Sequence, residues 1–215
     1  MPKATPSRRE SDKARSRELI VEAATRLFAE RGLEAVALGD IARAAGISRP
    51  LIYFHFKDRE ELFLETVLRA HQMLHTNFVA AVAQQTDPIG QAAAIGRAYE
   101  RFFAENRREF TLLSCFEAAA GNRPAASPRH EQIRFHGQAM IELIVSVITR
   151  GRKEGTIRRD LGDPLKVALC LHAFTHGMLQ MCASAEEHLR REHGVAPAEL
   201  VEQGFTLMRA ALQQK

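Results

Sequence analysis

Proline placement constrains this chain more than any other feature. Asp87-Pro88, Ser127-Pro128 and Asp163-Pro164 each set a capping side chain directly before a proline, the order of an N-cap followed by proline at the first helical position. Ala196-Pro197 has the proline without the cap. Between these starts apolar residues recur at the 3.6-residue period of a buried helix face, as in Ile133, Met140, Ile141, Ile144, Val145 and Ile148. No segment sustains the alternation of a strand. The pattern predicts an all-α chain with helices over about 12–31, 38–45, 49–55, 59–85, 88–105, 107–120, 128–154, 164–192 and 197–213. The first three are short. A long connecting helix follows, then a bundle of longer helices with short links, which places a boundary near Asp58 and divides the chain into 1–58 and 59–215. Gly121 to Arg129 is the longest loop expected in the second part.

Composition narrows the class further. With 215 residues, 46% of them hydrophobic, the chain can bury a sizeable core, and disordered or collagen-like classes are excluded. The cysteines, Cys115, Cys170 and Cys182, are odd in number and include no CxxC pair, so neither a disulfide framework nor a zinc ribbon is expected. The opening residues MPKATPSRRE lack the apolar stretch of a secretory signal, and a cytoplasmic setting is expected. Val167 to Ala185 contains no Asp, Glu, Lys or Arg, but His172, Thr175, His176, Gln180 and Ser184 would be costly in hydrocarbon. A buried helix is expected there rather than a membrane span.

Charge is distributed unevenly. Residues 1–59 hold 12 Lys+Arg against 8 Asp+Glu, and residues 60–215 hold 18 of each, so the whole net charge of +4 lies in the first quarter. An anionic partner at the N-terminal end would use that excess, although a solvated basic face has the same composition.

Residues 38–56, LGDIARAAGISRPLIYFHF, have the internal logic of a helix-turn-helix. Ile41 and Ala42 face inward on the first helix, Gly46 stands where a tight turn wants positive φ, and Ile47 and Ile52 close the small core. Ser48, Arg49, Pro50, Leu51, Tyr53 and Phe54 then belong to the second helix, and those facing outward would meet a DNA major groove or the flanking phosphates. A plain three-helix lobe shares this spacing. The residues that follow favour the first reading, because Tyr53, His55, Lys57 and Arg59 gather hydroxyl, imidazole, ammonium and guanidinium donors beside that helix, as phosphate anchoring requires. Ahead of the first helix, Lys3, Arg8, Arg9 and Lys13 would form either a basic arm or a solubilising tail. Ser7 and Glu10 fit a capping box that would start the helix early.

The run GLEAVALGDIARAAGISRPLIYFHFKDREELF resembles the signature of the TetR family of transcriptional regulators. The likeness extends from Arg15 to about Leu68 and includes Phe28, Gly32, Ile41-Ala42, Ala45 to Ser48, Tyr53, His55-Phe56 and Lys57 to Leu62. The resemblance implies an N-terminal three-helix DNA-binding domain and a C-terminal helical domain for ligand binding and dimerisation. It implies a homodimer, usually a repressor, that binds a palindromic double-stranded operator and is released by a small, largely apolar effector. Two positions depart from the family pattern: Val36-Ala37 replaces a capping hydroxyl at the start of the second helix, and Pro50 follows Ser48-Arg49 where a glycine is common.

Beyond residue 70 the likeness is architectural. Catalytic signatures are absent from the sequence, so an enzyme is not expected. Aromatic and sulfur-bearing residues at helical spacing mark either core or an effector cavity: Tyr99, Phe102, Phe103, Cys115, Phe116, Phe135, Met140, Phe174 and Met178, with His136 beside them. Arg97, Arg101, Arg134 and His136 would pair with any acidic group on the ligand. His172 and His176, at i and i+4, have the spacing of two metal ligands without a third, and they define the alternative reading of a helical metal- or ligand-binding protein or enzyme. No cofactor is expected. The uncharged face of 164–185, with Leu200, Phe205, Leu207, Met208 and Leu212, would pair with its symmetry mate in a dimer.

Overall fold

A computed structural model describes residues 8–120 and 127–213, and the described residues are helical throughout except for short links. Lys3, Ser7 and residues 121–126 of the expected loop lie outside them. The helices are α1 (Arg8–Arg31), α2 (Leu38–Ala45), α3 (Arg49–His55), α4 (Arg59–Ala83), α5 (Pro88–Glu105), α6 (Arg107–Ala120), α7 (Pro128–Glu154), α8 (Pro164–Ser184), α9 (Glu186–His193) and α10 (Pro197–Leu212). A 3-10 turn at Arg159–Leu161 precedes α8. None of the described helices is long and apolar enough to cross a membrane.

The expected proline starts are present. The Asp87 carboxylate accepts from Gly90 N at 2.8 Å, and that of Asp163 accepts from Leu165 N at 2.8 Å, so each satisfies amides that the helix leaves open. At Ala196, which has no capping side chain, the Glu199 carboxylate reaches back to the Ala196 amide at 2.9 Å.

One expectation is corrected. The stretch 164–192 is two helices, because the backbone of Ala185 leaves helical geometry at φ −128° and ψ 22°. Ser184 hydroxyl bonds back to the Gln180 carbonyl at 2.9 Å, a competitor of the helical ladder. Glu186 and Glu187 then occupy the first turn of α9, where carboxylates favour a new helix start.

The helices group into two compact units: the chain up to Ala70 with Arg108–Ile133, and His71–Arg107 with the chain from Arg134 onward. α4 and α7 contribute residues to both. In the first unit, Ile20, Ala24 and Phe28 of α1 are buried with Ile41, Ile52, Leu62 and Val67, and Phe28 meets Phe63 edge to face at 5.5 Å. In the second, Phe78 packs edge to face on Tyr99 at 5.7 Å, and Phe102, Ile148 and Leu179 are fully buried. Gly204 on α10 admits a close approach to α8, since a side chain there would strike the sulfur of Met178.

Phe102 has no solvent exposure. Phe102→Ala should cost about 3–5 kcal/mol of stability through lost transfer energy and a residual cavity, read as a lower denaturation midpoint in urea at unchanged slope.

Candidate functional site

The N-terminal site is built on a turn that only a few residues tolerate. Gly46 ends α2 with φ 67° and ψ 32°, and Ile47 N donates back to the Ala42 carbonyl at 3.0 Å. Chain direction reverses there, and α3 begins three residues later with Pro50 in its first turn. Ile41, Ala42 and Ile52 are buried as expected, with Ile47 half-buried. The missing hydroxyl at the start of α2 is partly replaced: the Asp40 carboxylate accepts from Ala37 N at 3.3 Å, the acidic half of a capping box.

The structure sorts the candidate DNA contacts into two sets. Ser48, Arg49, Pro50, Tyr53, Phe54 and Lys57 are exposed, with Tyr53 at 51% and Phe54 at 66%. Ser48 makes no capping bond with its side chain. The Arg49 guanidinium lies 6.0 Å over the Tyr53 ring, and the Lys13 ammonium lies 5.2 Å over Phe54, which brings α1 into the same basic face. Arg8, Arg9 and Lys13 are exposed residues of α1 itself, the helix starting by Arg8 rather than near residue 12.

Leu51, His55 and Arg59 are half-buried. His55 Nε2 is 2.8 Å from Ser16 Oγ, so this ring braces α3 against α1. Burial lowers its pKa, and the nearby charges of Lys13 and Arg17 lower it further, favouring the neutral ring. Arg59 holds the link before α2, donating to the Glu34 carbonyl at 3.0 Å and the Glu34 carboxylate at 2.7 Å. These two donors look alike in sequence to Lys57 yet are engaged by residues of the same lobe.

Sequence reading missed the ion network beneath this lobe. Glu65 of α4 receives Arg17 of α1 and Arg129 Nε of α7, the latter at 2.8 Å, while Arg129 also donates to Glu61. Glu61 in turn accepts from the Lys57 amide at 2.6 Å. No linear motif announces it, because its outermost members, Arg17 and Arg129, stand 112 positions apart.

The second unit holds a cavity of about 330 Å³, within the range of small-molecule sites. Short residues of α5, Ala92, Ala93 and Gly96, form one wall, and Leu171, Phe205 and Met208 of α8 and α10 face it. Of the ten residues expected from aromatic and sulfur spacing, Tyr99 alone lines this cavity. Phe102, Phe103, Met140 and Met178 are buried in the core, and Phe174 and Phe135 are exposed, Phe135 at 65%. Cys115 and Phe116 belong to the first unit. His136 sits on α7 with its Nδ1 3.1 Å from that of His75, and burial, then the charge of His75, lowers its pKa. His172 lines the cavity. His176 Nδ1 lies 2.7 Å from the Tyr99 hydroxyl, and the two imidazoles are stacked with centroids 6.1 Å apart. Among the described residues no group of three or more His, Cys, Asp or Glu gathers as metal ligands would.

A helix-turn-helix lobe with a basic, exposed α3, joined to a helical unit with a cavity, defines a DNA-binding regulator of all-helical build. Residues 20–66 match the family model of bacterial regulatory proteins, tetR family. Over 50 residues the chain is 48% identical to the HTH-type transcriptional regulator AcrR of Shigella flexneri, a match covering 23% of each protein. Over 142 residues it is 27% identical to the HTH-type transcriptional repressor KstR2 of Mycobacterium tuberculosis, covering 66% of this chain and 69% of that one. The solved structure of KstR2, a ketosteroid transcriptional regulator of M. tuberculosis, matches with a TM-score of 0.72 at 23% identity over 93% of this chain and 95% of that chain, a likeness of fold. The N-terminal lobe of this chain is thus that of a TetR-type transcriptional regulator, and the helical unit that follows shares the fold of solved members.

Glu65 yields a pH prediction. Burial raises its pKa, but hydrogen bonds from Arg129 and Arg17 and their charges together hold it below its ordinary 4.5. A carboxylate depressed in the folded state stabilises fully above its ordinary pKa, and that contribution is lost as pH falls through the lowered value. Glu65→Gln should therefore cost about 1–2 kcal/mol at pH 7 and flatten the acid limb of stability, measured by denaturant unfolding from pH 7 down to pH 3.

Proposed function

We propose that this regulator is a homodimeric repressor that binds a palindromic DNA operator through α3 and is released by a small, largely apolar effector. Residues 1–58 form its DNA-binding domain and residues 59–215 its effector and dimerisation domain. The observation that carries this reading is the exposed set Arg49, Tyr53 and Lys57 on a lobe whose other side is closed by Ile41 and Ile52. An Arg on a recognition helix matches the acceptor pair of a guanine edge, and Lys57 matches a phosphate. Ser48, Pro50, Leu51 and Phe54 complete the surface, with His55 and Arg59 bracing it through Ser16 and Glu34. The repressor sense is supported by the likeness to KstR2, an HTH-type transcriptional repressor.

Support for the dimer comes from an apolar surface that a monomer would leave in water. Leu165, Leu169, Phe174 and Met181 of α8 and Leu207 of α10 are all exposed. A second copy of the same chain would cover them in an isologous contact. Phe205, Met208 and Leu212, expected in that stripe, line the cavity, so α10 contributes less to the dimer than its sequence implies.

Fluorescence anisotropy with a labelled operator duplex tests the DNA contacts. Affinity should fall steeply with salt as condensed counterions are restored. Arg49→Ala should cost about 1–3 kcal/mol on specific DNA and relax preference at one base pair, whereas Lys57→Ala should weaken specific and random duplexes alike. Equal loss on both duplexes for Arg49→Ala would reduce that residue to a phosphate contact.

Sedimentation at micromolar concentration tests the dimer. The wild-type chain should sediment as a dimer and Leu169→Glu as a monomer. A monomeric wild type would overturn the assignment of the α8 face.

A further inference from the structure

The cavity sorts its polar lining into groups already satisfied by the protein, an exposed arginine left to water, and one inner group without a partner. Arg97 closes its fork on Glu202, with Nη1 at 2.5 Å and Nη2 at 2.6 Å, and Nη1 also reaches Glu100 at 2.9 Å. The guanidinium plane lies 4.5 Å over the Phe205 ring. The only carboxylate in the lining, Glu202, is thus engaged by the adjacent cation, and neither partner of the fork is left open to receive a ligand's ion.

The donor protons of the two threonine hydroxyls are committed as well. Thr175 donates to the Leu171 carbonyl at 2.9 Å, Thr206 to the Glu202 carbonyl at 2.9 Å, and the Tyr99 hydroxyl pairs with His176. His172 differs. No hydrogen bond is formed by its ring nitrogens among the described residues, and Tyr99 stacks near-parallel to it at 5.9 Å. Burial, and then the charge of His176, push its pKa down to about 4, so at neutral pH the ring is uncharged and offers one N–H donor and one acceptor nitrogen.

We infer that the cavity takes an uncharged, largely apolar molecule carrying one hydrogen-bonding oxygen, which pairs with the His172 imidazole. This deepens the effector-site reading above and rests on it. An anion or an organic cation buried against this lining would lose its hydration and find no free counter-charge in depth. Arg209, the remaining cation of the lining, is solvent-exposed, where water already satisfies it and screening weakens its pull. A plain hydrocarbon would leave the His172 nitrogens dry and unpaired, so a hydroxyl or carbonyl oxygen is favoured over none.

Isothermal titration of the full-length protein at pH 7 with 1-decanol, decanoate and decyltrimethylammonium, each kept below its aggregation threshold, separates the three charge classes on one alkyl body. Decanol should bind with a Kd at least roughly tenfold below the other two. His172→Phe should weaken decanol about tenfold, His172→Gln should restore most of the loss by keeping a donor and an acceptor, and Arg209→Ala should leave the order unchanged. Tightest binding by decanoate that falls with Arg209→Ala, tightest binding by the ammonium, no saturable binding of any probe, or indifference to a folded His172→Phe variant would each overturn the inference. Operator release is read separately by anisotropy. Decanol bound without loss of operator affinity would overturn the effector role while leaving the ligand class standing, and release by decanoate alone would do the reverse.

Discussion

Two helices of this protein each have to satisfy two hydrophobic cores. α4 gives Leu62, Phe63 and Val67 to the first unit and Leu74 and Phe78 to the second, and α7 gives Ile133 to one and Ile144 and Ile148 to the other. With no sheet among the described residues, every helix must bury a stripe against its neighbours, and most helical stability comes from that burial rather than from intrinsic propensity. Neither α4 nor α7 can fray at one end without exposing large side chains there. The 24-residue α1 and the short α2 and α3 are then organised around the first turns of α4, with the shared carboxylate of Glu65 fixing α1 through Arg17.

How much of this was legible in the sequence depends on the range of the interaction. Capped prolines and 3.6-residue periodicity act within a few residues, and they located the helices to within a turn at nearly every boundary. The exception, the break at Ala185, lies in a run with no Pro or Gly to punctuate it. It is visible only in the back-bonded Ser184 and the paired glutamates that start α9. The Glu61–Glu65–Arg129 network and the Arg97–Glu202 fork join residues far apart in sequence, and nothing local marks one arginine as bound and another as free. The same blindness applies to His55 and Arg59, which share donor chemistry with Lys57 but are engaged by Ser16 and Glu34 of the same lobe.

The cavity shows the opposite failure. Large aromatic and sulfur-bearing residues were expected to line it because ligands favour such surfaces, yet large side chains mainly fill space, and Phe102, Met140 and Met178 do so here. Space is left where side chains are short, at Ala92, Ala93 and Gly96 on successive turns of α5 facing Phe205 and Met208 of α10. A run of small residues on one face of a helix, IGQAAAIG at residues 89–96, was the available signal. It was not decisive, because the same composition also permits close helix packing, as Gly204 does against α8.

The placement of the cavity sets a condition on how a ligand can act at all. Phe78 of α4 and Ile144 of α7 both line it, so a molecule inside touches the two helices that also serve the first unit. Contact alone changes nothing in the DNA-binding equilibrium, since a ligand with equal affinity for two arrangements shifts neither however tightly it binds. For a hundredfold loss of operator affinity, the ligand-bound protein must prefer the non-binding arrangement by about 2.7 kcal/mol. A packed apolar wall can supply that difference, because the rotation of a ring such as Phe205 or the shift of a thioether such as Met208 alters many dispersion contacts at once. The Arg97–Glu202 fork also bridges α5 and α10, but as an exposed pair screened by water it opposes such a shift only weakly, so the apolar wall decides between the two arrangements.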